Sequence, residues 1–102
     1  MKIDFRNIKV YKDLKKTDFE LVNLQESVAN TIYGTGQGVA AASMCTRVYE
    51  SKDGIVEFND NEVAILREII DKSSFAFIIM AIHDIIDAGG NVPEENTNEK
   101  NN

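Results

Sequence analysis

Residues 59–88 read NDNEVAILREIIDKSSFAFIIMAIHDIIDA, the most regular stretch of the chain. Asn59 is followed three residues later by Glu62, the spacing of a capping box at a helix N-terminus. The apolar residues after it recur at helical spacing: Val63, Leu66 and Ile70. Because two serines at residues 73–74 interrupt this pattern and two glycines at residues 89–90 end it, the stretch predicts two consecutive helices.

Upstream of this pair, the chain predicts two further helices. Leu24, Val28 and Ile32 lie at positions i, i+4 and i+8, which indicates a helix over residues 24–33. A glycine-rich link over residues 34–38 leads to another helix, from Val39 to about Glu50, one face of which carries small side chains that would let a neighbouring helix approach closely. The helices therefore number about four.

The first residues predict a small β element. Apolar and polar side chains alternate from Ile3 to Tyr11, with a change of phase after Phe5 that indicates a bulge or a bend. Residues 19–21 either return as the second strand of a hairpin or lead directly into the first helix. Residues 55–58 follow an Asp-Gly turn and predict a short strand that can pair with the N-terminal strand. The predicted fold class is α+β, mostly helical, with a small N-terminal β element followed by about four helices.

The length and composition suit a single domain. The chain has 102 residues, of which 43% are hydrophobic and 27% charged, so it can bury one modest core. We expect this domain over residues 1–90 and a disordered polar tail over residues 91–102, where Val92 is the one large apolar side chain. The absence of a signal-peptide pattern, an apolar run of only eight residues (75–82) and a single cysteine favour a cytoplasmic protein without a membrane segment.

Charge is distributed unevenly along the chain. The net charge is -6, which makes nucleic-acid binding an unfavourable interpretation. Residues 1–16 nevertheless hold six bases and two acids, a net charge of +4, whereas residues 17–102 carry -10. The basic segment either pairs with the acidic remainder of the protein or contacts an acidic partner. A regulator that uses this segment on nucleic acid is a further, weaker alternative.

A glycine-rich motif offers an alternative function. Residues 36–41 read GQGVAA, the dinucleotide-binding pattern with Ala in its last place, and Glu57 follows where a ribose-binding acid is expected. Gly36, Gly38 and Glu57 are therefore the candidate residues of a small-ligand or nucleotide site. The segment before the glycines has helical spacing, however, whereas the pattern requires a strand there. A connection between two helices is the simpler interpretation.

Two other reactive side chains do not form a recognisable site. His83 and Asp87 share a helix face, but two ligands do not make a metal site. Cys45 lies on an Ala-rich helix without a neighbouring base, which favours a packing role. We therefore predict no catalytic residues, no metal and no cofactor, and expect a protein that is not an enzyme.

The last two helices carry more apolar residues than one face requires. Phe77 and Met80 lie opposite the broad apolar face of the fourth helix, and Ile65 and Ile69 lie off the main stripe of the third. Either one helix is central in the domain, or a second apolar surface docks on something else. Under the second interpretation these four residues form an interface with another copy of the chain or with another protein.

Several short motifs resemble those of small proteins encoded among the structural genes of tailed bacteriophages and prophages. They are KIDFRNI at residues 2–8, Ile32-Tyr33, Arg47-Val48-Tyr49, and Glu57-Phe58 leading into a capped helix. The resemblance covers residues 2–88. Some proteins of this group are thought to be tail-assembly or virion accessory factors. It therefore implies a protein-binding or self-assembling role, and it carries no catalytic residues over to this chain.

Overall fold

The computed structural model describes residues 1–93, which form four helices and four short strands around one hydrophobic core. In chain order the elements are β1 (Lys2–Asp4), β2 (Ile8–Tyr11), β3 (Phe19–Val22), α1 (Gln25–Thr35), α2 (Gly38–Glu50), β4 (Ile55–Glu57), α3 (Asp60–Ser73) and α4 (Ala76–Asp87). The predicted α+β class is confirmed.

Strands β1 and β4 form one antiparallel pair. Ile3 lies opposite Val56, and both side chains are buried. The turn before β4 is stabilised by Asp53, whose carboxylate accepts hydrogen bonds from the Ile55 N–H and the Ser51 hydroxyl, both at 3.0 Å. These bonds, that from Ile55 first, lower the pKa of the Asp53 carboxyl below its ordinary value. The predicted pairing of the 55–58 segment with the N-terminal strand is confirmed.

Strands β2 and β3 form a separate antiparallel hairpin, so the predicted change of phase after Phe5 is a break between two sheets. Ile8 lies opposite Val22 and is buried in the core, while Tyr11 lies opposite Phe19 on the other face of the hairpin. The Tyr11 and Phe19 rings meet edge to face with centroids 6.1 Å apart. Of the two alternatives for residues 19–21, the hairpin is therefore confirmed.

The helices pack in succession: α2 on α1, α1 on α3, α3 on α4, and α4 on β2. Each contributes large side chains that are almost inaccessible to water, among them Val28, Ile32, Met44, Val48, Leu66, Ile70 and Ile82. The predicted capping box is present at the start of α3, where the Asn59 side chain accepts from the Glu62 N–H at 2.8 Å and Glu62 accepts from the Asn59 N–H at 3.0 Å. None of the helices in residues 1–93 has the length and apolarity needed to cross a membrane.

After α4 the chain returns to the first strand. The Asn91 side chain accepts from the Asp4 N–H at 2.7 Å and donates to the carbonyl oxygens of Asp4 and Asn7 at 3.1 and 3.2 Å. The predicted tail begins at residue 91, so its first residue belongs to the folded body. The part of the predicted tail over residues 94–102 lies outside the described residues.

Candidate protein-binding groove

An open groove of about 440 Å³ lies between α4 and the β2–β3 hairpin. Residues 77, 80, 81 and 84 line it from α4, because they follow one another at the spacing of a single helix face. The opposite wall comes from β2 and from the loop after it. The volume falls within the range of roughly 300–1,000 Å³ that is typical of ligand pockets.

The groove is lined by large apolar side chains that remain accessible to water. Phe77 is 50% exposed, Met80 is 41% exposed, and Leu14 and Phe75 are more exposed still. The Phe75 and Phe77 rings stack with centroids 5.9 Å apart. Since contiguous apolar patches on soluble proteins mark contact sites more often than single exposed residues do, this is the strongest candidate surface in the described part of the chain.

The hairpin gives the groove a basic wall. The charged side chains that line the groove are Lys9, Lys12, Lys16, Asp13 and Asp84. Lys12 and Lys16 form exposed ion pairs at 3.7 Å with Asp18 and Asp84, and such pairs are weak. The Lys9 ammonium group lies 4.6 Å from the centroid of the Phe19 ring. These cations therefore remain available to an anionic group that enters the groove.

The structure divides the four predicted interface residues into two pairs. Phe77 and Met80 line the groove together. Ile69 is only 9% exposed and belongs to the core, and Ile65 is partly buried against that core, beside the α1–α2 connection. Ile69 therefore exposes little of its side chain, in the depression beside the α1–α2 connection.

Leu14 and Phe75 line the groove, but the sequence did not predict either of them as a surface residue. Leu14 lies alone in the polar segment 12–18, where no periodicity marks it. Phe75 has the phase of the buried face of α4, but it precedes the first helical residue, Ala76, and its side chain lies outside the packed face.

The glycine motif does not have the geometry of a dinucleotide site. Helix α1 runs up to Thr35, in the place where a strand is required, and the Gly36 N–H donates to the Ile32 carbonyl oxygen at 2.7 Å. Gly38 has a φ of +92°, which favours glycine. Glu57 belongs to β4, opposite Lys2, and does not line the depression that contains Gly36. The structure therefore supports the helix–helix connection.

His83 and Asp87 do not face a common point as two metal ligands would, because the closest polar side-chain contact of each is with a different residue of α3. The His83 Nε2–H donates to the Asp71 carboxylate at 2.5 Å, Arg67 Nη2 lies 3.4 Å from His83 Nδ1, and Arg67 pairs with Asp87 at 3.6 Å. This network joins α3 to α4. Residues 1–93 contain no group of three His, Cys, Asp or Glu side chains placed to hold a metal ion.

A smaller depression of about 250 Å³ lies between α1 and α2. Tyr33 and Tyr49 line it, together with the partly buried Cys45, whose thiol donates to the Ala42 carbonyl oxygen at 3.3 Å. None of the lysines in residues 1–93 lines this depression. Its exposed tyrosines, Tyr33 and Tyr49, are aromatic side chains outside the groove and can serve as control positions for groove variants.

Comparisons with protein-family models, with curated proteins and with solved structures found no match.

Proposed function

We propose that the protein is a non-enzymatic interaction module that binds a segment of another protein in the groove between the hairpin and α4. The observation that carries this proposal is the exposure of Phe75, Phe77 and Met80 in one concave, lysine-walled site. The resemblance of short motifs between residues 2 and 58 to those of tailed-phage proteins suggests a setting for this role, that of a tail-assembly or virion accessory factor.

The apolar side chains of the groove support reversible binding. Complete burial of a Phe, Leu or Met side chain contributes about 1.5–3 kcal/mol, and Leu14, Phe75, Phe77 and Met80 have each realised at most part of that in the free protein. Association costs at least about 4 kcal/mol in lost translational and rotational freedom. The free energy available from burying these side chains is similar in size to the free-energy cost of association, so the groove suits a partner that binds reversibly.

The basic wall selects an acidic partner. A segment with apolar side chains on one face and carboxylates on another would place the carboxylates near Lys9, Lys12 and Lys16. Such complementary charge raises association rates and gives specificity, and it weakens as salt increases. We therefore infer an amphipathic acidic segment.

The groove can be tested with 1-anilinonaphthalene-8-sulfonate, a fluorescent probe that is both apolar and anionic. We expect fluorescence enhancement with the wild-type protein and its loss in Phe77→Asp. Tyr33→Asp is the matched control, because Tyr33 is exposed on α1 away from the groove. Equal enhancement in the two variants, both folded by circular dichroism, would show that the probe binds elsewhere.

The partner can be tested with a photo-crosslinking residue placed at position 77 in the native cell, with position 33 as the control. A protein adduct of defined mass that forms from position 77 and not from position 33 supports the proposal. If the adducts join only two copies of this chain, self-association replaces the proposed function. If both positions give the same adducts, or neither gives any, the groove is not a protein-binding site in that cell.

A further inference from the structure

Within residues 1–93, the outer strand of the hairpin, β3, has an unpaired edge. The hairpin is a two-stranded sheet, and Phe19, Glu20 and Leu21 of β3 are all exposed. The Lys12 N–H donates to the Asp18 carbonyl oxygen at 2.9 Å. Since bonded and non-bonded pairs alternate in an antiparallel ladder, the backbone groups of Glu20 face β2, and those of Phe19 and Leu21 point away from it.

The edge is short and carries one charged side chain, Glu20, but it has none of the other common protections. Proteins block exposed edges with lysine, proline, bulges or a covering element, because an open edge pairs readily with other chains. Strand β3 contains neither lysine nor proline. In the described range, the backbone groups of Phe19 and Leu21 make no hydrogen bond to a residue outside the hairpin. Both side chains lie on one face and are exposed, Leu21 by 57%.

We propose that β3 accepts an extended segment of another protein as a third, antiparallel strand. The segment would carry a basic residue opposite Glu20 and apolar residues opposite Phe19 and Leu21. Main-chain hydrogen bonds supply affinity in such strand addition, and the side chains that face each other supply specificity.

Charge argues against a second copy of β3 as the added strand. In an antiparallel pairing of two β3 strands, apolar side chains face each other when Phe19 lies opposite Leu21 of the other copy. That register places Glu20 directly opposite its own equivalent, and like charges facing each other are destabilising. A shift of the register by two residues in one direction places Phe19 opposite Phe19 of the other copy and Leu21 opposite its polar Thr17. A shift by two residues in the other direction places Phe19 opposite the polar Asn23. A lysine or arginine opposite Glu20 removes the repulsion.

The edge is a different surface from the groove of the proposed function. The groove is lined by Lys9 and Tyr11 of β2 and by no residue of β3. The two proposals can therefore be tested separately: loss of binding at the edge would not exclude binding in the groove, and loss of binding in the groove would not exclude binding at the edge.

A synthetic peptide of residues 17–23 carrying Glu20→Lys is a suitable probe, with the unaltered peptide as its match. Titration into the ¹⁵N-labelled full chain should shift the amide resonances of Phe19 and Leu21. We expect the unaltered peptide to bind about two- to fivefold more weakly, from the usual size of cross-strand pair effects. High salt should reduce this difference.

Two controls test the main-chain bonds. Leu21→Pro removes an N–H that points away from β2, and Leu21→Thr keeps it. Binding should be lost in the first variant and kept in the second. If Leu21→Pro unfolds the hairpin, the same peptide methylated on the nitrogens of its residues 19 and 21 tests the bonds from the other side and should not bind.

Three results would overturn the proposal. The first is no shift at Phe19 and Leu21 with either peptide at millimolar concentration. The second is equal binding of the methylated and unmethylated peptides. The third is tighter binding of the unaltered peptide, which would identify a second copy of this chain as the occupant.

Discussion

Gly36 occupies a position where the fold has no room for a side chain. A Cβ atom added there would lie 2.7 Å from the Ile32 carbonyl oxygen and 2.8 Å from the Ala41 Cβ, both part of the packed α1–α2 pair. A Cβ atom added at Gly34, about half a turn earlier, would have no atom of the described residues within 4 Å. Gly34 and Gly36, both in the glycine-rich link over residues 34–38, therefore have different physical roles.

We expect Gly36→Ala to lower the free energy of unfolding by about 1–3 kcal/mol, because backbone has to move to admit the methyl group. Gly34→Ala should be neutral or raise it by up to about 1 kcal/mol, since alanine is the better helix former. Urea unfolding measures both. Equal effects would mean that the close approach at Gly36 is absent in solution.

Gln25 is a buried polar residue with a complete set of partners. Its side-chain oxygen accepts from Arg6 Nε at 2.7 Å, and its NH₂ group donates to the carbonyl oxygens of Val48 and Ser51 at 2.9 and 2.7 Å. The amide thereby ties the start of α1 to the end of α2. A carboxylate of the same shape cannot make the two donated bonds.

We predict that Gln25→Glu destabilises the fold by at least about 1–3 kcal/mol, because an oxygen would face two carbonyl oxygens. The Arg6 guanidinium would favour the ionised form through one oxygen, but ionisation also sets a charged oxygen against the carbonyl oxygens of Val48 and Ser51, and we expect this repulsion to dominate at the buried site. The loss should therefore be smallest below about pH 4.3, the ordinary glutamic acid pKa, and grow as the pH rises. Thermal unfolding from pH 4 to pH 7 measures this, and Glu26→Gln on the exposed face of α1 is the control.

At the scale of single elements, short sequence motifs predicted the helix boundaries, because those boundaries are set by interactions between residues close in sequence. The capping box fixes the start of α3, and the serines at residues 73–74 separate α3 from α4. The phase of a helix, by contrast, does not reveal which neighbours it meets. Ile69 and Phe77 have the same standing in the sequence as surplus apolar residues, but Ile69 is buried near the α1–α2 connection and Phe77 faces an open groove.

The cap of α3 should be measurable on its own. Asn59→Ala removes one bond to a helix N-terminal N–H and is expected to cost about 0.5–2 kcal/mol. Asn61→Ala, an exposed change in the same helical turn, should have little effect or a slight stabilising one. Urea unfolding of the two variants provides the comparison, and equal costs would contradict a role for the Asn59 side chain.

At the scale of the whole molecule, the core and the groove compete for the same apolar residue types. Within residues 1–93, twenty buried apolar residues form one core, and Phe77 and Met80 are not among them. Sequence composition alone cannot make this division, because it depends on where the hairpin docks on α4.

We expect Phe77→Asp to stay folded and monomeric, with a loss of stability of less than about 1 kcal/mol, since half of that side chain already contacts water. Ile69→Asp, in contrast, would place an unpaired charge in the core and should unfold the domain. Circular dichroism with light scattering separates the two. An unfolded Phe77→Asp would place Phe77 in the core and remove the groove.

The pairing of β1 with β4, and of Asn91 with Asp4, also sets an order on biosynthesis. Translation delivers the first strand more than fifty residues before its partner, an interval of roughly 3–10 s at 5–20 residues per second. During that time the strand is available to chaperones and to other nascent chains. A product that ends before residue 91 lacks the hydrogen bonds from the Asn91 side chain to the first strand. We expect such a product to be degraded more readily by proteolytic quality control.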